Sequence, residues 1–109
     1  MNLYSQYIAE REGLGIVEFD HGFATYIKVD ADTFYLQDIF VEKEYRKSGL
    51  AKELSKQVAL IAKEAGAKRL TGSVCLIAKG VTVSMKAILG DGFEYSHANG
   101  NTLYFAKEI

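Results

Sequence analysis

The sequence predicts an α+β fold with a mixed β-sheet, in the element order β-β-β-α-β-α-β-β. Several short segments are rich in aromatic and β-branched residues and are bounded by turn residues, which indicates strands. Residues 49–65 instead repeat their apolar side chains at helical spacing. Because this helix lies between two predicted strands, the crossover favours one parallel strand pair in an otherwise antiparallel sheet.

The first third of the chain is predicted to form a short helix and an antiparallel meander. Leu3, Tyr7 and Ile8 would share one side of the helix. Aspartate- and glycine-containing turns then separate three strands. The predicted ranges are 3–12 for the helix and 15–19, 23–29 and 34–41 for the strands.

The remainder of the chain is predicted to form two helices and three strands. The long helix places Leu50, Leu54 and Val58 on one side, and Gly66 follows at the position of a left-handed C-terminal cap. The last two strands form a hairpin around the turn Ala98-Asn99-Gly100-Asn101. The predicted ranges are 69–76, 93–97 and 102–107 for strands and 81–89 for the second helix. We expect residues 1–109 to form a single domain.

Composition narrows the classes of function. The chain has 109 residues, 49% of them hydrophobic and 25% charged, with a formal net charge of −1. These values are ordinary for a globular domain and indicate no general attraction to nucleic acid or anionic membranes. No apolar run reaches membrane-spanning length and no signal-peptide pattern is present, so we expect a cytoplasmic protein.

The candidate nucleophile and metal ligands are few. Cys75 is the single cysteine, which excludes an internal disulfide and fits a reducing compartment. It lies in the apolar run Val74-Cys75-Leu76-Ile77, so we expect it to be buried and structural rather than a nucleophile. His21 and His97 belong to no ligand-spaced cluster, and we expect no metal site.

The segment that indicates a function is Arg46-Lys47-Ser48-Gly49-Leu50-Ala51, between the third predicted strand and the long helix. The first N–H groups of a helix have no acceptor within the helix, so this end favours an anion. Gly49 lets a ligand approach the backbone closely. On its own, Gly49 could equally be a helix-start glycine, with the neighbouring lysines forming a solvated face.

This segment matches the pattern Q/R-x-x-G-x-G/A, and it follows an apolar strand that ends at Val41. Together with Gly92-Phe93 downstream, it resembles the acyl-coenzyme A site of the GNAT superfamily of N-acetyltransferases. The resemblance covers residues 15–109 and implies a GNAT-like fold with the acyl-coenzyme A loop between the central strand and the long helix. The short segment 1–13 stands where the family usually has a strand and one or two helices that border the acceptor site.

The resemblance implies acetyl-coenzyme A as the cofactor. Main-chain N–H groups from Lys47 to Ala51 would hold the pyrophosphate, and Lys52 or Lys56 would meet the 3′-phosphate. The backbone of the preceding strand would pair with the pantetheine arm and polarise the thioester carbonyl. The implied cofactor-binding residues are Ile39, Phe40, Val41, Arg46, Lys47, Ser48, Gly49, Leu50 and Ala51.

The catalytic groups are less clearly indicated. Asp38 is the candidate general base for the attacking amine, although it is equally well interpreted as a solvated or hydrogen-bonded strand residue. Glu18 and Gln37 are weaker candidates. The position where the family usually has a tyrosine acid holds Ile88, and Val81-Thr82 replaces its usual asparagine. Hydroxyl groups from other residues are alternatives for the acid, namely Ser84, Tyr95 and Tyr104.

Three functions follow from these patterns. The leading hypothesis is transfer of an acetyl group from acetyl-coenzyme A to a primary amine, by direct attack in a ternary complex. The alternative is a catalytically weak or inactive GNAT-fold protein that binds coenzyme A or a protein partner. A nucleic-acid module is disfavoured because glutamates interrupt the lysine-rich run over residues 42–64. A homodimer is expected, because the shortened N-terminal segment leaves apolar surface for a second copy.

Overall fold

The computed structural model describes residues 2–109, which form three α-helices and six strands. The first helix begins where the Asn2 side chain accepts a hydrogen bond from the Ser5 N–H, and it ends at Gly13, whose φ is 69°. The elements are α1 (Leu3–Glu12), β1 (Gly15–Phe19), β2 (Gly22–Lys28), β3 (Thr33–Val41), a 3-10 turn (Lys43–Tyr45), α2 (Leu50–Glu64), β4 (Arg69–Cys75), α3 (Val81–Gly90), β5 (Glu94–Asn99) and β6 (Thr102–Glu108).

The six strands form one mixed sheet in the order β1-β2-β3-β4-β6-β5. All neighbours are antiparallel except β3 and β4, which the α2 crossover joins in parallel. The predicted fold class and element order are therefore confirmed. Several boundaries differ from the predicted ranges by one residue. The largest difference is in the last hairpin, which turns on Gly100 and Asn101 alone, because Ala98 and Asn99 continue β5 as cross-strand partners of β6.

The core lies on one face of the sheet, where α2 and α3 both pack. Leu54, Val58 and Ala62 follow one another at intervals of four residues along α2, and all three are fully buried. They meet large side chains of the sheet, including Phe34 and Phe105. Burial of this apolar stripe supplies most of the stabilisation of α2.

Glycines bring the helices close to the sheet at two positions. A Cβ on Gly22 would lie 2.6 Å from the Phe40 carbonyl oxygen and 3.3 Å from Leu54 of α2. A Cβ on Gly72 would lie 3.0 Å from Ile88 of α3. The absence of a side chain at these strand positions is therefore what allows both helices to pack directly on the sheet.

A polar tie joins three elements at the edge of the core. The Ser55 hydroxyl on α2 donates a hydrogen bond to the Asp91 carboxylate at the end of α3. Lys107 on β6 forms an ion pair with the same carboxylate at 3.2 Å and donates to the Asp91 carbonyl. Because Ser55 is buried and both charged side chains are less than a fifth exposed, the pair is desolvated more than a surface ion pair.

The opposite face of the sheet, here called the open face, has little cover. Among the described residues, only α1 lies over it, beside β1, where the Ser5 hydroxyl donates to the Glu18 carboxylate at 2.6 Å. No residue of α1 is fully buried, and Leu3, Tyr4 and Tyr7 are all more than half exposed.

The expectation that Cys75 is buried is wrong. Cys75 is the last residue of β4 and is exposed, and Leu76 and Ile77 lie in the following turn with exposed side chains. The apolar run suggested a buried strand, but β4 ends before the run does. Cys75 also falls on the open face, because its neighbour Val74 points into the core.

The core analysis predicts a large difference between two leucines of α2. We expect Leu54→Ala to lower the free energy of unfolding by about 2–5 kcal/mol, because it leaves a cavity against Gly22 and the sheet. Leu60→Ala is the matched control on the same helix, since Leu60 is 44% exposed. Urea unfolding of both variants measures the difference, and equal losses would contradict the assigned core face.

Candidate active site

The central feature of the site is a fork between β3 and β4. These parallel strands pair only over Thr33–Tyr35 with Arg69–Thr71. Beyond that point β3 keeps its pairing with β2, and β4 keeps its pairing with β6. The two strands therefore separate toward their carboxyl ends, and each leaves main-chain groups of its inner edge without a strand partner among the described residues.

A β-bulge lies in β3 just beyond the start of the fork. Thr25 is paired with Asp38 and Tyr26 is paired with Leu36, so Gln37 is an extra residue in β3. The bulge shifts the alternation of side chains by one residue, so Leu36 before it and Val41 after it both face the core. As a result Asp38 and Phe40 fall on the open face, whereas Ile39 is opposite the core residue Ala24.

Asp38, the predicted general base, is exposed on the open face at the fork. Its carboxylate accepts a hydrogen bond from the Thr25 hydroxyl at 3.3 Å, and Thr25 is itself buried. This contact directs one carboxylate oxygen toward β2. The weaker candidates lie elsewhere. Glu18 is on β1, where its carboxylate accepts hydrogen bonds from the Asn2 N–H and the Ser5 hydroxyl of α1, and Gln37 is the exposed bulge residue of β3.

The loop at the mouth of the fork presents main-chain N–H groups. Gly49 precedes α2 with a φ of 86°, and no side chain caps this helix end. Within residues 2–109 the N–H groups of Gly49, Leu50, Ala51 and Lys52 have no hydrogen-bond acceptor. Lys47 and Lys52 are exposed nearby, with Glu53 as the acidic residue of the first turn. This arrangement favours an anion.

Two side chains hold the loop by hydrogen bonds, one to the end of β3 and one within the loop. The Arg46 Nε donates to the Val41 carbonyl at 2.9 Å, and its guanidinium lies 5.9 Å from the centre of the Phe40 ring. The Ser48 hydroxyl and N–H both donate to the Tyr45 carbonyl, at 2.5 and 3.2 Å. Arg46 thus joins the loop to the last residue of β3, although its side chain is exposed.

A shallow, solvent-open depression of about 480 Å³, here called the cavity, lies on the open face beside the end of β3. Phe23 and Phe40 form its apolar wall, and the centres of their rings lie 5.7 Å apart. Carboxylates from two turns and from β1 border it, namely Glu18, Asp20 and Glu42. The cavity therefore combines an aromatic surface with negative charge, which suits a cationic group.

A model of the acetyltransferase (GNAT) domain matches residues 3–89 of the chain, which include α1, the fork, the loop and most of α3. This range covers well over half of the chain. The protein is a member of the GNAT acetyltransferase family. The prediction from the sequence motif is confirmed at the level of family and fold. No curated protein matches the chain in sequence.

Solved structures support the same fold. A GNAT-family protein from Desulfovibrio desulfuricans superposes with a TM-score of 0.80 at 18% identity, covering 97% of this chain and 76% of that one. The PaiA N-acetyltransferase of Thermoplasma acidophilum, solved with coenzyme A, gives 0.76 at 19% identity, with 98% and 69% covered. A GNAT-family acetyltransferase from Elizabethkingia anophelis, solved with acetyl-CoA, gives 0.72 at 18% identity, with 98% and 82% covered.

GNAT domains use acetyl-coenzyme A, so the cofactor prediction is confirmed at the level of the family. The geometry of this chain fits such a group. The unpaired inner edge of β3 can extend the sheet with an amide-containing arm, and the N–H groups at the start of α2 can meet phosphate oxygens.

The position of the usual tyrosine acid is filled by a core residue. Ile88 packs against Gly72 on the face of the sheet opposite Asp38. The alternatives are scattered: Ser84 is exposed on α3, Tyr95 contacts Phe105 edge-on, and Tyr104 stacks on His97 over the open face. None of these three side chains hydrogen-bonds to Asp38, whose partner is Thr25.

The structure also reveals a hydroxyl pair that the sequence reasoning missed. Tyr35 and Ser73 share a hydrogen bond of 2.7 Å across the base of the fork. Both lie on the open face, because their neighbours Phe34 and Val74 point into the core. Alternation within each strand could have placed each hydroxyl on this face, but only the β3–β4 register brings the two together.

Two other kinds of feature are absent from residues 2–109. No three histidine, cysteine, aspartate or glutamate side chains are grouped as metal ligands. No helix in the same range is long and apolar enough to cross a membrane.

The left-handed conformation of Gly49 predicts a cost for any side chain there. We expect Gly49→Ala to lower the free energy of unfolding by about 1–2 kcal/mol, because an L-residue is strained at this φ. Gly90→Ala in α3 is the control: it has no close contact at Cβ and no positive φ, and should stabilise by about 0.5–1 kcal/mol. Denaturant titrations that show the same sign for both variants would contradict this assignment.

Proposed function

We propose that this protein transfers an acetyl group from acetyl-coenzyme A to a primary amine, by direct attack in a ternary complex. The observation that carries the proposal is the fork between β3 and β4, with a donor-rich loop at its mouth and Asp38 at its side. Family membership supports an acetyltransferase, and the fork supplies two separate approaches, one along the strand edge and one from the open face.

In this proposal the cofactor lies along β3 and ends at the loop. Acetyl-coenzyme A supplies an acetyl group activated as a thioester. Main-chain groups of Ile39, Phe40 and Val41 that point away from β2 would hold the pantetheine arm and donate to the thioester oxygen. Of the predicted donors from Lys47 to Ala51, the N–H groups of Gly49, Leu50 and Ala51 have no acceptor within residues 2–109 and would hold the pyrophosphate, whereas the Ser48 N–H is engaged by the Tyr45 carbonyl. Positive charge comes from nearby side chains, Arg46, Lys47, Lys52 and Lys56.

The acceptor would approach from the open face. The cavity beside β3 joins aromatic rings to carboxylates, so it attracts a protonated amine and can hold its apolar part. Asp38 would take the proton that the amine loses on attack, held in place by Thr25. Ile88 packs against the core and carries no proton to donate, so in this proposal the mechanism relies on positioning of the reactants.

A titration of coenzyme A tests the cofactor part of the proposal. We expect calorimetry to show binding to wild type and at least about tenfold weaker binding to Gly49→Glu, which puts negative charge and a strained φ in the loop. Gly100→Glu is the matched control, since Gly100 also has a positive φ and open space at Cβ, but lies in the β5–β6 turn.

Comparison of the two variants separates the effect of backbone strain from the effect of a side chain in the cofactor loop. Equal loss in both would show that general destabilisation, and not the loop, accounts for the effect. If wild type shows no binding of coenzyme A or acetyl-coenzyme A at millimolar concentration, the proposed function is wrong.

Substitution of Asp38 tests the proposed base. On the best acceptor from a panel of primary amines, we expect Asp38→Asn to lower kcat by about 100-fold or more while leaving acetyl-coenzyme A affinity unchanged. Asp32→Asn, in the exposed β2–β3 turn, should leave both quantities unchanged. A normal kcat in the Asp38 variant would assign Asp38 to its hydrogen bond with Thr25 and to no catalytic role.

The second candidate function is a GNAT-fold protein that binds coenzyme A and acts through a partner without efficient turnover. Ile88 in the core and the scant cover of the open face favour it. Cofactor binding without acetyl transfer to any amine of the panel would support this alternative. Turnover on any amine with a kcat typical of enzymes would exclude it.

Two sequence predictions remain predictions. One is that residues 1–109 act as a single domain, with residues 1–13 replacing the usual first elements of the family. The other is a homodimer, which sedimentation of wild type would check.

A further inference from the structure

His21 lies in the turn between β1 and β2 and contacts the segment that leads to the cofactor loop. Its ring stacks on the Tyr45 ring, with centres 3.8 Å apart and an angle of 7° between planes. Its carbonyl accepts a hydrogen bond from the Glu42 N–H at 2.9 Å. The turn thus holds this segment through both main chain and side chain, although the two regions are 20 or more residues apart in sequence.

The inner ring nitrogen of His21 is placed against an acid. Nδ1 is buried and has no hydrogen-bond partner within residues 2–109, and the Glu42 Oε2 lies 3.6 Å from it. Asp20 precedes His21 in the same turn and borders the same cavity as Glu42. The neighbouring cation, Arg46, is engaged with Val41 and Phe40. Lys43 and Lys47 of the same segment are exposed, and the charged group placed against the ring nitrogen is the Glu42 carboxylate.

The contact at Tyr45 extends into the loop itself. The Tyr45 carbonyl is the acceptor for both the N–H and the hydroxyl of Ser48. Gly49 follows directly, and then the N–H groups at the start of α2 that have no acceptor. A shift of Tyr45 would move Ser48 and change the direction of the donors beside it.

We infer that His21 is a positioning residue for the loop Arg46–Ala51, and that protonation of its imidazole strengthens coenzyme A binding. The inference rests on the cofactor part of the proposed function. When the imidazole is charged, Nδ1–H can bind the Glu42 carboxylate, which tightens the turn on the loop and offsets negative charge near bound phosphates. When it is neutral, the stacking on Tyr45 remains and the ion pair is lost.

Three variants separate the ring from its charge. His21→Phe keeps a flat ring for Tyr45 and cannot be protonated, Glu42→Gln removes the acid, and His21→Ala removes ring and charge. For each pH we take the ratio of wild-type coenzyme A affinity to the affinity of His21→Phe or Glu42→Gln. We expect this ratio to be about two to five times larger at pH 5.5 than at pH 8. His21→Ala should bind more weakly than wild type at both pH values.

Referring each affinity to the variants removes the contribution of coenzyme A's own phosphate ionisation. The inference is overturned if the ratio of wild-type to His21→Phe affinity is the same at both pH values, or if His21→Ala binds as tightly as wild type. Absence of coenzyme A binding to wild type is a different result, which refutes the proposed function.

A cofactor-free measurement tests the same coupling independently. In ¹H–¹⁵N spectra without coenzyme A, we expect the amide signals of Ser48, Gly49 and Leu50 to shift together with the His21 ring signals as the imidazole titrates. These shifts should disappear in His21→Phe, and thermal unfolding should confirm that this variant is folded. Loop signals that titrate identically in wild type and His21→Phe would overturn the inference.

Discussion

The short parallel pairing of β3 with β4 is the constraint on which the rest of the site depends. Three residue pairs hold the strands together at one end, and each strand is then retained by its antiparallel neighbour. The resulting fork needs no cavity in the core, because on the other face of the sheet α2 packs on β2 and β3, and α3 packs on β4. A main-chain edge is thereby left available in the middle of a sheet, where such groups are normally paired.

Helix α2 connects stability to the site. Its buried stripe of Leu54, Val58 and Ala62 fixes the helix against β2 and β3, so its N-terminus is held at the mouth of the fork. Gly49 then allows the chain to enter the helix with its N–H groups unobstructed. The residues that bury apolar surface and the residues that present donors are therefore different parts of one element, and the first set determines where the second points.

Sequence reasoning was most successful where the signal was local. The helical spacing after Leu50, the turn residues and the loop motif predicted the element order and the family, because each depends on neighbours in the chain. Exposure of Cys75 could not be predicted, since it depends on which face of the sheet the helices leave uncovered, and that is a property of the whole fold. The Tyr35–Ser73 hydroxyl pair and the stacking of His21 on Tyr45 depend on tertiary register, which no single segment encodes.

The three residue pairs that join β3 to β4, here called the seam, also have a mechanical consequence. The sheet consists of two antiparallel ribbons, β1–β2–β3 and β4–β6–β5, and the Asp91 tie fastens α2 to the second of them. Pulling the ribbons apart would break few main-chain hydrogen bonds, and α2 would bear most of the load through its packing on β2 and β3. Under tension the molecule should therefore yield along the seam, with the elastic resistance supplied by side-chain packing on one helix.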